Sequence, residues 1–155
     1  ALTESIPAQT SNSIVHGDFR IDNTILDADD PGIVKAVVDW EMSTLGDPLT
    51  DIGLFCTYWA AMGSDALIPM TLDADAPAPF PTTDDLISSY ADTSGLDMSD
   101  LPWYIGFGCF KLAVILEGIY YRHTLGQTVG EGFAVIGDMV QPLIDRGLSQ
   151  IERKR

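Results

Sequence analysis

The chain has 155 residues, of which 46% are hydrophobic, so it holds enough apolar material for one core and has the length of a single domain. Its formal charge of -15, from 23 acidic against 8 basic residues, would repel phosphate backbones and anionic lipid surfaces. These values predict a globular protein and argue against nucleic acid or membrane as partners.

The beginning of the chain, ALTESIPAQTSNS, is small and polar, and we expect residues 1–13 to be a linker or tether without fixed structure. It contains no basic region followed by an apolar stretch and so does not resemble a signal peptide; a cytoplasmic location follows by default. Cys56 and Cys109 lie inside apolar runs, where we expect reduced, structural thiols.

Two short β-prone runs come next, residues 24–26 and 33–38, and the sequence DADDPG separates them. Acidic residues followed by Pro and Gly favour a turn, so the pattern predicts an antiparallel hairpin. Asn23 precedes the first run and Asp39 follows the second. Both residues should therefore lie at the open end of the hairpin.

The remainder of the chain favours helices. An acidic residue and a proline precede the apolar residues 49–62, which predicts a largely buried helix. The proline-rich residues 64–82 are typical of a long surface excursion. Acidic residues after a threonine predict a helix over residues 83–94. A last amphipathic helix is expected over residues 131–151, bent near Pro142.

The longest apolar run, residues 103–121, belongs to a predicted helix over residues 99–125. The run approaches membrane-spanning length, but Lys111 and Glu117 near its middle would each be costly in lipid. Three glycines would let another element approach this helix closely, namely Gly106, Gly108 and Gly118. The pattern therefore favours a buried helix over a membrane span.

The residue types from His16 onward indicate the chemistry. His16, Gly17 and Asp18 are followed after four residues by Asn23, and Asp39 comes after the hairpin. This is the order of a catalytic loop, a metal-binding amide and a metal-binding carboxylate in kinase-like enzymes. A carboxylate can align an acceptor hydroxyl by accepting its hydrogen bond, and Mg²⁺ prefers hard oxygen ligands. We expect Asp18 to position the hydroxyl and Asn23 and Asp39 to bind the metal and its nucleotide.

The segment HGDFRIDN resembles the HGDxxxxN loop of the aminoglycoside phosphotransferase and choline kinase families, and VVDWEMSTLGDPLTD resembles their metal-binding segment. The likeness is closer to phosphotransferase domains related to those fused to acyl-CoA dehydrogenases, which share DWExSTLGDPxxD. It covers the chain from about Val15 to the end. HGD alone would be weak evidence, whereas these motifs in one order are specific.

The resemblance implies an α+β, mainly helical fold: the C-terminal lobe of a protein-kinase-like fold over residues 14–155. A small β-hairpin with the catalytic loop would occupy residues 14–48, and the helical part residues 49–152.

The resemblance also implies roles for nearby residues. Arg20 takes the place where many protein kinases carry a lysine facing the transferred phosphate, which makes it a catalytic candidate. The alternative is a surface arginine paired with Asp22. His16 resembles the histidine that packs beneath the catalytic loop and orients it. Asp51 resembles the carboxylate that supports the loop backbone, while Asp47 remains a cap or a supporting residue.

Candidate acceptor-binding residues are Glu117, Tyr121 and Arg122, because in the fold that this chain resembles the later helices wall the acceptor pocket. Ordinary amphipathic packing is the alternative. We expect the three tryptophans, Trp40, Trp59 and Trp103, to lie in the core.

The function implied by the resemblance is phosphorylation of a small metabolite's hydroxyl, with Mg²⁺ and ATP or another nucleoside triphosphate. The acceptor would be hydroxyacyl-CoA-like or aminoglycoside-like. A complete kinase also needs a phosphate-covering flap and a strand lysine held by a glutamate. Only fifteen residues precede His16, so we expect the N-terminal nucleotide lobe to be a missing partner and the chain alone to be inactive. Its apolar contact surface would then favour a homodimer.

Two other functions can be compared with the same residues. A phosphatase with Asp18 as nucleophile is disfavoured, because Phe19 and Arg20 stand where a second nearby aspartate is expected. A non-catalytic binding or assembly module derived from a kinase lobe stays open as the alternative.

Overall fold

A computed structural model describes residues 1–9, 11–62 and 81–152. Within these ranges the strands are β1 (Ser13–Val15), β2 (Thr24–Leu26), β3 (Val34–Val37) and β4 (Thr44–Gly46). The helices are α1 (Leu49–Met62), α2 (Thr83–Ser94), α3 (Leu101–Thr124) and α4 (Val140–Glu152). Short 3-10 segments occupy Leu2–Glu4, Ile21–Asn23, Trp40–Met42 and Phe133–Met139. The expected α+β, mainly helical architecture is confirmed.

The predicted hairpin is present, because β2 and β3 pair in antiparallel fashion. Its turn is organised by Asp27, whose Oδ1 accepts backbone hydrogen bonds from Asp29 at 2.8 Å and Asp30 at 3.0 Å. The other carboxylate oxygen of Asp27 lies 2.6 Å from Nζ of Lys35. These contacts hold the pKa of Asp27 below its usual value, with the Lys35 interaction as the largest cause.

A second strand pair, β1 with β4, was not predicted. Val15 lies opposite Thr44 in an antiparallel register, so β1 and β4 enclose the loop and the hairpin between them. Contrary to the expectation of a structureless linker over residues 1–13, Ser13 already belongs to β1. Leu2 also contacts the helical part, since its carbonyl accepts a hydrogen bond of 3.2 Å from Nε1 of Trp103.

The helix α1 has the predicted bounds, and α2 ends at Ser94, followed by the C-cap Gly95 with its φ of 69°. The N-cap of α2 is Thr82, one residue earlier than expected, and it forms a capping box with Asp85. The predicted surface excursion of residues 64–82 falls almost entirely outside the described residues.

The predicted single helix over residues 131–151 is instead a 3-10 segment followed by α4. Pro142 does not lie in the middle of a helix, as the prediction had it. It lies in the first turn of α4, where a backbone N–H has no intrahelical partner to lose, so the proline fits without distortion.

The long helix α3 packs between α1 and α4. A Cβ on Gly53 of α1 would lie 2.4 Å from the carbonyl carbon of Tyr104 in α3, and one on Gly106 of α3 would lie 3.0 Å from the carbonyl oxygen of Gly147 in α4. Only glycine permits such contact between helix backbones. The predicted close approach is therefore confirmed at Gly106.

Close approach of another element was also predicted at the other two glycines of α3, and it occurs at one of them. A Cβ on Gly108 would lie 2.8 Å from Oγ1 of Thr57, which confirms a close approach. Among the described residues, nothing lies within 4 Å of the corresponding position at Gly118, so the prediction is wrong there.

By length and composition alone α3 is apolar enough to cross a membrane, with a mean hydropathy of 1.3. Its described contacts are those of a core helix. One face joins the cluster that includes Leu49 and Tyr104, and Leu112 joins a second cluster with Leu143 of α4. The prediction of a core helix is confirmed, as is that of free, buried thiols at Cys56 and Cys109. Burial raises the pKa of Cys56 to about 11.

Candidate active site

The HGD loop begins directly after β1, and α1 holds its backbone. Asp51 lies in the first turn of α1. Its Oδ2 accepts a hydrogen bond of 2.6 Å from the backbone N–H of His16, and its Oδ1 accepts one of 2.9 Å from that of Gly17. A single carboxylate thus satisfies two successive amides. This is the contact that the supporting role expected of Asp51 requires.

Glycine is required at the centre of the loop. Gly17 has a φ of 84°, in the left-handed region that side chains rarely adopt. A Cβ there would also lie 2.5 Å from the carbonyl oxygen of Met42, in the 3-10 segment that follows Asp39. The loop and the segment after the hairpin are therefore packed backbone against backbone.

His16 connects the loop to the end of the hairpin. The residue is 2% exposed, and its Nε2 lies 2.7 Å from the carbonyl oxygen of Val38. A carbonyl only accepts, so Nε2 carries the hydrogen, and Nδ1 is free to accept the backbone N–H of Asp18 at 3.3 Å. Both ring nitrogens are engaged in the protein's own hydrogen bonds. The arrangement suits orientation of the loop rather than proton transfer.

Asp18 and Asn23 are in direct contact. Nδ2 of Asn23 donates 2.8 Å to the carbonyl oxygen of Asp18 and lies 3.4 Å from its Oδ2. Because the amide nitrogen must face that carbonyl, the amide oxygen of the buried Asn23 faces away from it. The backbone carbonyl of Asn23 accepts 2.9 Å from the N–H of Val38, the residue before Asp39. The hairpin therefore brings Asn23 and Asp39 to one end, as predicted.

Asp39 adopts a left-handed backbone conformation, with φ 66° and ψ 49°. Among the described residues it is the one non-glycine residue with positive φ. Aspartate tolerates this region better than most residues, and strained backbone is concentrated at functional sites. The side chain is exposed, so its carboxylate can be reached by a ligand.

The donor set suits Mg²⁺. An amide oxygen on Asn23 and a carboxylate on Asp39 are hard ligands. No group of three His, Cys, Asp or Glu side chains that could hold a metal occurs in the described part of the chain. A site with two protein ligands agrees with an ion that takes its other ligands from water and phosphate.

Tyr58 of α1 was not predicted to belong to the site. Its hydroxyl donates 3.3 Å to Oδ1 of Asp18. Burial, followed by the negative charge of Asp18, raises the pKa of Tyr58 and keeps the hydroxyl protonated. The sequence did carry a signal, because Asp51 and Tyr58 are seven residues apart and so share a helix face.

Arg20 lies beside Tyr58, with its guanidinium carbon 5.3 Å from the ring centroid. It also approaches Oδ2 of Asp22 at 3.3 Å, in a pair whose side chains are 38% and 66% exposed. Its Nε is buried without a hydrogen-bond partner among the described residues. The structure thus contains the Asp22 pair that was the alternative for Arg20, and it also places the cation next to a residue that contacts Asp18.

Lys111 of α3 was also missed. Its Nζ donates a hydrogen bond to the carbonyl oxygen of Gly17, 94 positions away in the sequence. No local motif marks this lysine. Its only signal was a charge in an otherwise apolar helix, which had served to argue against a membrane span.

The predicted acceptor residues lie elsewhere on α3. Glu117, Tyr121 and Arg122 are exposed, with Tyr121 at 62%. No described hydrogen bond or ion pair connects their side chains to the HGD loop. Trp40 is likewise not a core residue: it is 46% exposed, and its ring packs 4.7 Å from that of His16.

Comparison with known proteins identifies the family. A model of the phosphotransferase enzyme family matches residues 1–85, which include HGD, Asn23, Asp39 and Asp51. Human acyl-CoA dehydrogenase family member 11 is 32% identical over 156 residues, covering 98% of this chain and 20% of that protein. Mouse acyl-CoA dehydrogenase family member 10 is 35% identical over 124 residues, covering 79% of this chain and 12% of that protein.

A solved structure agrees with this family. A crystal structure of a candidate aminoglycoside phosphotransferase from Ralstonia eutropha matches with a TM-score of 0.78 and 30% identity. The match covers 98% of this chain and 46% of that one, so the chain spans less than half of the solved protein, about a fifth of acyl-CoA dehydrogenase family member 11 and 12% of member 10. The loop geometry, the family match and this structural likeness together show that the chain belongs to the phosphotransferase enzyme family, as its motifs had indicated.

Proposed function

We propose that the chain is the phosphoryl-transfer lobe of a small-molecule kinase with a protein-kinase-like fold, which uses Mg²⁺ and ATP or another nucleoside triphosphate. The observation that carries the proposal is the contact of Asp18 with Asn23 at the hairpin end that Asp39 shares. A hydroxyl-positioning carboxylate thereby lies beside two oxygen ligands for a metal. That combination is what phosphoryl transfer to an alcohol requires.

Asp18 is the proposed catalytic residue. Tyr58 engages its Oδ1, while the 3.4 Å contact of Asn23 with Oδ2 is long and leaves Oδ2 able to accept the hydrogen bond of an acceptor hydroxyl. Such a hydrogen bond aligns the hydroxyl oxygen with the phosphoryl group and receives its proton as the new bond forms. Arg20 is proposed to offset the negative charge that develops there.

Asn23 and Asp39 are the proposed ligands of Mg²⁺ and, through it, of the nucleotide. When bound, the ion supplies positive charge that neutralises the phosphates. Asn23 is pre-oriented by its hydrogen bond to Asp18, and Asp39 by its place after β3. His16 and Asp51 hold the HGD loop beside these ligands and are not proposed to contact the reacting atoms.

A second lobe is proposed to complete the nucleotide cleft. The solved phosphotransferase is about twice as long as the part that this chain matches. Apolar side chains are exposed on the strand pairs, including Ile14 at 68% and Leu45 at 78%. We assign this apolar surface to contact with the rest of the domain, and without that lobe we expect little or no activity.

The acceptor is proposed to be a hydroxyl on a small metabolite. Relatives named as acyl-CoA dehydrogenases favour a hydroxyacyl-CoA, and the solved structure's description favours an aminoglycoside as the second class. Glu117, Tyr121 and Arg122 remain candidate acceptor contacts in the complete protein. ADP release by the full-length protein with a panel of both classes, measured with and without Mg²⁺, distinguishes the two.

Substitutions in the full-length protein test the proposed roles. Asp18→Ala should lower kcat by about 10²-fold or more, with a modest loss of nucleotide affinity, because it removes the hydroxyl-positioning group. Asp39→Ala should lower kcat and also weaken Mg²⁺-nucleotide binding. Steady-state ADP release and nucleotide titration measure both quantities.

Asp92→Ala is the matched control for these two variants. It removes an exposed aspartate of α2 that contributes nothing to the site, so its activity should equal that of the unmodified protein. Normal turnover by Asp18→Ala would overturn the proposed function and would leave the non-catalytic module as the better description.

A further inference from the structure

The peptide groups around Gly17 are held from two helices. Asp51 of α1 accepts the N–H of Gly17 at 2.9 Å, and Lys111 of α3 donates to the carbonyl oxygen of the same residue. The carbonyl of Gly17 belongs to the peptide bond that leads into Asp18. The position of Lys111 therefore bears directly on the proposed catalytic carboxylate.

Glycine is the residue least able to fix this peptide by itself. With no Cβ, Gly17 has access to a wide range of backbone angles, and its φ of 84° is not one that local sterics select. The hydrogen bond from Lys111 opposes rotation of the Gly17–Asp18 peptide. If that peptide turned, the N–H of Asp18 would leave Nδ1 of His16 and the carboxylate would turn with it.

The described partner of the Lys111 ammonium is a backbone carbonyl and not a carboxylate. No ion pair of Lys111 with a carboxylate occurs in the described part of the chain. The chain has a formal charge of -15 and only 8 basic residues, so carboxylates far outnumber the cations that could pair with them. The half-buried ammonium of Lys111 nevertheless has a loop carbonyl as its described partner. A charged donor binds a carbonyl more strongly than a neutral one.

We propose that Lys111 is a positioning residue for phosphoryl transfer, which rests on the proposed function: its ammonium locks the Gly17 carbonyl and so sets the direction of the Asp18 carboxylate. Loss of this bond acts on the Gly17–Asp18 peptide group, whereas Asp39 is placed by β3 and Asn23 is held by the carbonyl oxygen of Asp18, which belongs to the next peptide group. It should therefore lower kcat and not nucleotide affinity.

Variants of the full-length protein test the proposal. Lys111→Met keeps the length of the apolar stem and removes the donor; we expect kcat to fall by about 10²-fold, the loss that misplacement of a reacting group by about 1 Å can cause. Nucleotide affinity and the thermal midpoint should stay close to those of the unmodified protein. Lys111→Arg retains a charged donor and should recover a large part of kcat.

Lys35→Met is the matched control, since Lys35 is 58% exposed and pairs with Asp27 in the hairpin turn. It removes the same charge from a place remote from Gly17 and should leave kcat unchanged. If Lys111→Met does not fold, Lys111→Gln is judged by the same criterion.

An unchanged kcat in whichever of the two variants folds would overturn the positioning role, as would equal loss in the Arg and Met variants. These results differ from a failure of the proposed function itself, in which Asp18→Ala would be fully active.

Discussion

The carboxylate of Asp18 is held by donors from two different elements. Tyr58 of α1 donates to Oδ1, and Asn23 lies near Oδ2 at the start of the hairpin. The two contacts limit rotation of the carboxylate about its own axis. The direction in which Asp18 can accept a hydrogen bond is therefore fixed before any acceptor arrives.

Replacement of Tyr58 by Phe isolates this effect, because the ring and its packing are retained. We expect kcat/KM of the full-length protein to fall by about 10-fold, the lower end of what a hydrogen bond to a charged group contributes. Burial, followed by the negative charge of Asp18, raises the pKa of Tyr58 above the ordinary tyrosine value, so the unmodified protein should show no loss of activity from Tyr58 ionisation at neutral and mildly alkaline pH.

The control is Tyr120→Phe, because the ring of Tyr120 packs against Gly137 and no described hydrogen bond uses its hydroxyl. Steady-state kinetics across pH compare the two variants. An unchanged kcat/KM in Tyr58→Phe would show that the hydrogen bond from Tyr58 to Asp18 does not contribute to catalysis.

For single residues, the sequence predicts a role where the residue type and its order in a motif define the chemistry. It does not predict contacts that arise only from the packing of distant elements. Asp18, Asn23 and Asp39 could be predicted because their oxygens and order define the chemistry. Tyr58 was visible only as a helical neighbour of Asp51. Lys111 could not be found, since its contact depends on where α3 passes the HGD loop in the folded chain.

Among the elements, the crossing of α1 and α3 depends on Gly53. A Cβ there would lie 2.4 Å from backbone carbon of Tyr104, which no rotamer change can relieve. Gly53→Ala should therefore lower the free energy of unfolding by about 3 kcal/mol, the upper part of the usual range for overpacking. Gly118→Ala is the matched control in α3, because no described atom lies within 4 Å of that position. It should raise the free energy of unfolding by about 1 kcal/mol, since alanine favours a helix more than glycine does.

Chemical denaturation of the 155-residue chain and both variants measures these changes. Equal effects of the two substitutions would contradict the close crossing of α1 and α3.

The elements themselves were predictable to different degrees. Helices α1, α2 and α3 follow from apolar runs bounded by caps and glycines. The pairing of β1 with β4 could not be predicted, because each strand has three residues, too few for a period of two to be visible. The last helix was overextended because Phe133–Met139 is apolar enough to continue the pattern of α4, yet it forms a 3-10 segment.

For the whole molecule, the apolar surface on the strand pairs is the dominant feature. Ile14 and Leu45 face each other across the β1–β4 pair and are 68% and 78% exposed. Adjacent exposed apolar side chains favour association with another surface. Under the proposed function, this is the surface that contacts a nucleotide lobe.

The isolated chain should therefore self-associate and show little or no turnover of ATP. Leu45→Ser should shift it toward the monomer by removing the most exposed member of the strand pair, whereas Val129→Ser, at a loop position 96% exposed, should not. Size-exclusion chromatography with light scattering and ADP release measure the two properties. Turnover at ordinary kinase rates by the isolated chain would contradict the need for a second lobe.

The hairpin and the helices carry different parts of the site. Asp39 depends on β3, whereas the loop before Asp18 is secured by α1 and α3 through Asp51 and Lys111. Under the proposed roles, changes in the β2–β3 ribbon should act first on metal binding, while the two helices keep the loop that carries Asp18 in place. A variant with an altered metal preference should therefore be sought by exchanging residues within that ribbon, with Asp51 and Lys111 retained.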